Sequence, residues 1–151
     1  MKMIYDSAQA TMEHKLRVAH FINKIIFELL IRTEDHDSSK LRSPEKEIFD
    51  EYTPKLKGST YGSEEYKVFL KEMNVALEHH YAMNMHHPEH YKESIEGMDL
   101  IDLIEMLCDW KAATERHANG SIDKSILINK DRFGISDQLV KIFQNTVKRM
   151  F

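Results

Sequence analysis

The stretch "TMEHKLRVAHFINKIIFELLIR", residues 11–32, decides the fold class, because its apolar residues recur at the spacing of a helix. With about 100° between successive residues, one helical stripe collects His14, Val18, Phe21, Ile25 and Leu29. The run has no Gly or Pro to interrupt it, and it is much longer than an ordinary strand. We therefore expect a long first helix over this stretch.

The rest of the chain also favours helices. Ser43-Pro44 predicts the start of a short helix through Asp50, and Ser63 predicts the cap of a helix that ends near Asn84. Three more helices are predicted over about residues 98–118, 123–134 and 136–148, and "TPKLKGSTYG", residues 53–62, is the longest predicted loop. Five Gly and three Pro are too few for a β-sandwich or barrel with many tight turns. The sequence thus predicts an all-α fold, a single domain of five to six helices over residues 1–151.

The composition is that of a soluble globular protein. The chain has 151 residues, 42% of them hydrophobic and 30% charged, which is enough for one domain with its own core. No apolar run approaches the roughly 20 residues that cross a membrane. The polar start "MKMIYDSAQATMEHK" does not resemble a signal peptide. We expect a cytoplasmic protein without a membrane partner.

The net charge and the number of cysteines argue against several classes of partner and site. The net charge of -4 argues against DNA or RNA as the main partner, since a basic face is the usual footprint of that role. The single cysteine, Cys108, excludes an internal disulfide and a cysteine-based zinc site. The sequence leaves the oligomeric state open, a homo-oligomer included.

Five of the nine histidines fall within "HHYAMNMHHPEHY", residues 79–91. His80 continues the apolar stripe of the preceding helix and is predicted to point inward, whereas His79 faces more solvent. His86 and His87 precede Pro88, where the helix is expected to break. The pattern leaves open which of these two rings faces a site.

Potential metal ligands also occur far from that cluster. They are His14 on the stripe of the first helix, the adjacent pair His36-Asp37, and Asp109 on a later, mostly apolar helix. A carboxylate among apolar neighbours is costly to bury without a partner, and a divalent cation is one such partner. Imidazole and carboxylate ligands suit Zn, Mn, Fe or Mg rather than copper(I). Asp102, on the same helix as Asp109, is a candidate acceptor for a ligand histidine.

The segments "EHKLRVAHFINKIIFELL", "EDHDSSK" and "CDWKAATER" together resemble the motif pattern of the HD superfamily of metal-dependent phosphohydrolases. The resemblance covers about residues 11–116 and implies an HD-like helical domain. It implies four metal ligands, with His20 as an alternative to the first: His14, His36, Asp37 and Asp109. Lys40 matches the lysine that follows the His-Asp pair by three and contacts substrate anions in relatives.

Branches of that superfamily with two metals have further histidines between the His-Asp pair and the last Asp. His79 or His80, and His86 or His87, match that role by resemblance, and we take His80 and His87 as the predicted ligands. No GYP element follows the histidines, which removes cyclic-dinucleotide cleavage from the expected reactions. The whole chain also resembles a bacterial and phage family of small proteins of unknown function that have HDSSK-like and HHPEHY-like elements.

The resemblance implies a phosphohydrolase that acts on a nucleotide or another small phosphate ester. One or two divalent ions (Mn, Fe, Zn, Mg or Ni) would activate a water as the nucleophile. Asp37, Lys40 and His80 are the expected catalytic residues. Two alternatives stay open: a di-iron oxygenase of the same superfamily, and a non-catalytic module that binds a nucleotide or a protein.

Overall fold

The computed structural model describes residues 6–59, 63–116 and 120–151, and every regular element in these ranges is a helix. The seven α-helices of the described ranges are α1 Ala8–Asp35, α2 Glu45–Gly58, α3 Glu64–Glu72, α4 Asn74–Met83, α5 Leu100–Thr114, α6 Ile122–Phe133 and α7 Asp137–Met150. Three short 3-10 helices, η1 to η3, cover Ser38–Leu41, Pro88–His90 and Ser94–Gly97. The all-α prediction is confirmed.

The chain divides into two compact units, Met1–Asp35 and His36–Phe151. The first unit holds α1, whose bounds extend the predicted first helix by three residues at each end. The second unit holds the remaining helices. The single domain expected from the sequence stays a prediction. Across the described part of the chain, we find no helix with both the length and the apolar character to cross a membrane.

The core of the second unit lies between α5, α6 and α7. Its buried side chains come from all three helices and from the turn before α7, and they are Met106, Leu107, Ile126, Ile135, Val140 and Phe143. Trp110 packs edge-on against Phe143, with ring centroids 6.1 Å apart. These residues occupy one side of α5, so the opposite side of that helix is left for other contacts.

The predicted loop over residues 53–62 is wrong for its first half, because α2 continues to Gly58 with Pro54 inside the helix. Proline cannot donate to the carbonyl four residues earlier. That carbonyl belongs to Asp50, an exposed residue at which water can act as the donor. Lys55 and Lys57 in the last turn stabilise the helix end. Residues 60–62 lie outside the described ranges.

The single helix predicted from Ser63 to Asn84 is two helices, α3 and α4, that meet at Met73. Ser63 caps α3 as predicted, since its side chain accepts a hydrogen bond from the backbone nitrogen of Tyr66 over 3.1 Å. The predicted inward stripe survives the break. Met73 and His80 are buried, with 1% and 2% of their surfaces exposed, so His80 points inward as its position predicts.

The later helix boundaries follow from local capping. Asp99 accepts hydrogen bonds from the first turn of α5 and forms a capping box with Asp102, which explains why this helix begins at Leu100. The helix ends at Thr114, and the predicted end at Ala118 lies outside the described residues. Ser136 caps α7 as predicted, by accepting from the backbone nitrogen of Leu139 over 3.3 Å.

Gly134 ends α6 in the left-handed region, with φ 65°, as the sequence predicts for a glycine cap. Replacing Gly134 by Ala is expected to cost about 1–2 kcal/mol, because L side chains are strained in this conformation. Urea unfolding will measure the loss. Gly58→Ala is the matched control: Gly58 has no positive φ and nothing within 4 Å of an added Cβ, so no loss is expected there. Equal losses at both positions would contradict the conformational explanation.

Candidate metal centre

The His36-Asp37 pair lies in the turn between α1 and η1. Asp37 is in the left-handed region, with φ 56°, a conformation that Asp tolerates better than most residues. Its carbonyl oxygen accepts a hydrogen bond from the backbone nitrogen of Lys40 over 2.9 Å. Lys40 Nζ donates to Asp37 Oδ2 over 2.6 Å. The turn therefore fixes the carboxylate of Asp37 and places a cation beside one of its oxygens.

Three histidines approach Asp37 from α4 and from the chain that follows it. His80 lies in the last turn of α4, while His86 and His87 lie between the end of α4 and Pro88, which is buried. Asn84 holds this segment, because its side-chain nitrogen donates to the carbonyl oxygen of His80 over 2.7 Å. The helix ends before Pro88, as predicted, and the chain then turns so that His86 and His87 lie close to His80 of α4.

The first group of potential metal ligands consists of Asp37, His80, His86 and His87. Asp37 Oδ1 lies 3.3 Å from His80 Nε2 and 3.7 Å from His86 Nε2. The Nε2 atoms of His80 and His87 are 2.9 Å apart. Donor atoms around an ion about 2.1 Å away lie about 3.0 Å apart at octahedral corners and about 3.4 Å apart at tetrahedral corners. The spacing of this first group fits a coordinated cation.

A second group shares Asp37 with the first and adds His36 and Asp109. His36 Nε2 lies 3.7 Å from Asp37 Oδ2 and 3.8 Å from Asp109 Oδ1. The two oxygens of Asp37 therefore face different groups: Oδ1 faces His80 and His86, and Oδ2 faces His36. A carboxylate so placed can bridge two ions, whereas an imidazole cannot. We call the two groups the first and second subsites.

Two buried atoms at this centre lack a hydrogen-bond partner within the described ranges. They are the side-chain atoms Asp37 Oδ1 and His86 Nε2. A buried polar atom left unpaired costs about 1–3 kcal/mol, and native structures contain few of them. Both atoms belong to the first subsite, and both are ordinary metal ligands. The residues at this centre therefore fit a divalent cation.

Two carboxylates, one buried and one partly buried, support the histidine rings at Nδ1. Glu45, fully buried at the start of α2, accepts from His79 Nδ1 over 2.7 Å and from His80 Nδ1 over 2.9 Å. Glu105 on α5 accepts from His36 Nδ1 over 2.8 Å and contacts His86 Nδ1 at 3.0 Å. A carboxylate behind Nδ1 fixes the ring so that Nε2 faces forward, which is the usual support of a metal-bound histidine.

Both supporting carboxylates were missed by the sequence interpretation. Glu45 reads as an ordinary acidic residue in the first turn of a helix, and its partners are 34 and 35 residues away in the chain. Glu105 gave one usable signal: it precedes Asp109 by one helical turn and so shares a face with that predicted ligand.

The charges at the centre shift the pKa values of its residues in opposite directions. Contacts with Asp109 and Glu105 raise the pKa of His36 to about 10. Burial works to raise the pKa of Asp37, but His80 and Lys40 outweigh it and hold that pKa far below its usual range. Burial, together with the nearby His86 and His80, lowers the pKa of His87 to about 3. His87 is therefore neutral at pH 7, which is the form that binds a metal.

The structure gathers six of the seven predicted site residues at this centre, and they are His36, Asp37, Lys40, His80, His87 and Asp109. The seventh, His14, lies in α1 within the first unit and stays a predicted ligand. His20, the alternative to His14, lies in the same helix.

The pairs of histidines that the sequence left open are placed as follows. His80 belongs to the first subsite, whereas His79 binds Glu45 with 38% of its side chain exposed. His86 and His87 both belong to the first subsite, so both rings face the candidate centre. His90 Nδ1 is 2.9 Å from the carbonyl oxygen of Tyr81, and Asp102 is buried and accepts from the hydroxyl of Tyr91 over 2.5 Å.

Comparison with known proteins gives a family and no reaction. Residues 3–149 match the model of a family of unknown function, DUF5662. No curated protein and no solved structure matches the chain. The match does not connect the chain to the HD superfamily, so that resemblance stays a prediction. Because the family model spans nearly the whole sequence, the chain belongs to the DUF5662 family.

Proposed function

We propose that this protein is a metal-dependent phosphohydrolase that acts on a nucleotide or another small phosphate ester. The observation that carries the proposal is the pair of buried, unpaired atoms, Asp37 Oδ1 and His86 Nε2, 3.7 Å apart. Additional support comes from the second subsite, which shares Asp37, and from the amino group of Lys40 beside it. The HD-like motif pattern points to the same reaction class.

The residues of the two subsites would hold one or two divalent ions, with Asp37 between them. Such ions lower the pKa of a water molecule and stabilise negative charge on a phosphoryl group. His80, buried and held at Nδ1 by Glu45, suits a fixed ligand better than a mobile acid. His87 offers a neutral imidazole, and Asp109 offers a carboxylate that is half-buried beside His36.

Lys40 is the residue best placed to bind the substrate. The side chain of Lys40 is 36% exposed and its ammonium group lies against Asp37 Oδ2, so this group can turn toward a phosphoryl oxygen without leaving the centre. A cation at this position neutralises charge that develops on the phosphoryl oxygens during transfer. Lys40 therefore acts in this proposal as an anion contact and not as a metal ligand.

Metal content and ester hydrolysis test the proposal together. Protein purified without chelator is expected to contain about one or two equivalents of Mn, Fe, Zn, Mg or Ni per chain by elemental analysis. A panel of phosphomonoesters and phosphodiesters, including nucleotides, should then give turnover that a chelator abolishes. Bound iron, coloured protein and no ester turnover would favour the di-iron oxygenase. Absence of both metal and turnover would favour a non-catalytic binding module.

Lys40→Ala should separate substrate binding from metal binding. We expect kcat/KM to fall by about 100-fold, the usual effect of removing one group that stabilises the transition state, while metal content is unchanged. Steady-state kinetics and elemental analysis of the same preparation measure the two quantities. Lys46→Ala is the control, since Lys46 pairs with Asp50 on the exposed side of α2. Loss of metal in Lys40→Ala would contradict the role given to Lys40.

A further inference from the structure

One carboxylate oxygen supports a histidine from each subsite. Glu105 Oε1 lies 2.8 Å from His36 Nδ1, which belongs to the second subsite, and 3.0 Å from His86 Nδ1, which belongs to the first. The side chain of Glu105 is only 10% exposed, so water competes little for this oxygen. The two rings are also neighbours, with centroids 4.5 Å apart and planes inclined by 41°.

The support of Glu45 is different. Its two oxygens contact His79 and His80, and of these only His80 belongs to a subsite. The hydroxyl of Ser39 donates a hydrogen bond to Glu45 Oε2 over 3.0 Å, and this is the oxygen that contacts His80 of the first subsite. Glu45 therefore orients one subsite alone, whereas Glu105 touches ligands of both.

This shared contact has a thermodynamic consequence. A bound ion in the first subsite would fix the ring of His86, and the Nδ1–H of that ring would then hold Glu105 Oε1 in place. The same oxygen would orient His36 in advance, so that binding a second ion would cost less conformational entropy. An effect of this kind is reciprocal, because each ion must change the affinity for the other by the same factor.

We propose that Glu105 couples the two subsites, so that an ion in one raises the affinity of the other. Glu105 is a positioning residue in this scheme, since it acts through His36 and His86. The proposal rests on the metal centre of the proposed function but not on ester hydrolysis. Coupling between two sites in a protein is commonly about 5–150-fold in affinity, and we expect about 10-fold here.

A double-mutant cycle with Co²⁺ as the probe isolates this coupling. His87→Ala removes a ligand of the first subsite only. Any change that it causes in the Co²⁺ affinity of the second subsite therefore measures the coupling between the two subsites. Metal-free wild type, His87→Ala, Glu105→Gln and the double variant are titrated with Co²⁺ by equilibrium dialysis and visible absorption. We expect His87→Ala to weaken the second subsite about 10-fold in the wild-type background and about threefold or less in the E105Q background, where Asp37 is still shared between the subsites.

The controls keep folding and function apart from coupling. In the E45Q background the effect of His87→Ala should stay about 10-fold, because Glu45 contacts only the first subsite. Circular dichroism and thermal melts check that each variant folds. If Glu105→Gln does not fold, Glu105→Asp replaces it, because this variant keeps the charge but withdraws the oxygen from the two histidines.

An equal effect of His87→Ala on the second subsite with and without Glu105 overturns the coupling. Wild type that binds two ions but hydrolyses no ester ends the phosphohydrolase proposal alone, and wild type that binds a single ion ends the coupling alone.

Discussion

Asp37→Ala is expected to abolish metal binding at both subsites. Among the described residues, Asp37 alone belongs to both subsites, and it offers a separate oxygen to each, so its removal takes one ligand from each ion. Loss of an outer partner of a metal site commonly weakens affinity by about 10–100-fold, and loss of a shared direct ligand should exceed about 100-fold. Elemental analysis of protein purified without chelator and Co²⁺ titration of the metal-free protein measure the loss.

The same substitution should leave the protein folded. Asp37 carries an unpaired buried oxygen in the metal-free protein, and removing that oxygen offsets the strain of Ala at the positive φ of this position while it frees Lys40 to reach solvent. Asp50→Asn is the matched control, because Asp50 is an exposed aspartate whose partner is Lys46. We expect normal metal content in that control. Full metal content in Asp37→Ala would remove the basis of the candidate centre.

The sequence predicted the parts of this centre that depend on local order. Helical spacing placed His80 on an inward face, and the proline at position 88 correctly marked the end of the helix that carries it. Asp37 and Asp109 were named from the resemblance to the HD motif pattern, together with the cost of burying Asp109 among apolar neighbours. The placement of His80 and the helix end before Pro88 use only neighbours within a few turns of the chain.

The parts that the sequence did not reveal depend on distant contacts. Glu105 meets His36 across 69 residues, and its local signal, the one-turn spacing from Asp109, does not reveal that it supports a histidine. Pro54 failed as a helix breaker for a related reason, since the carbonyl that it leaves unpaired lies at an exposed position. In both cases the environment of the residue, rather than its type, decides what it does.

Helix α5 shows how one element can serve both core and site. Met106 and Leu107 face the apolar core, while Glu105 and Asp109 lie on the other side of the helix and face the histidines. The core therefore fixes the position of two carboxylates whose burial is unfavourable by itself. Substitutions in the core of this helix should consequently disturb metal affinity as well as stability.

Glu45→Ala is expected to cause the largest loss of stability in the metal-free protein. Glu45 has 0% of its surface exposed, and its carboxylate accepts from His79, His80 and Ser39. Removing one partner of a buried charged network leaves the others without an acceptor and typically costs about 3–5 kcal/mol. For a chain of this size such a loss lowers Tm by about 6–20 °C. Urea unfolding with chelator present measures the free energy without any contribution from bound ions.

Glu47→Ala is the matched control, since Glu47 lies in the same first turn of α2 but is exposed. Its loss should stay within about 0.5 kcal/mol, the usual range for surface substitutions. Glu45→Gln separates shape from charge: the amide can accept from only one side, so we expect an intermediate loss and a weaker first subsite. If Glu45→Ala and Glu47→Ala unfold at the same urea concentration, the buried carboxylate does not hold the histidines, and the support inferred behind His80 is absent.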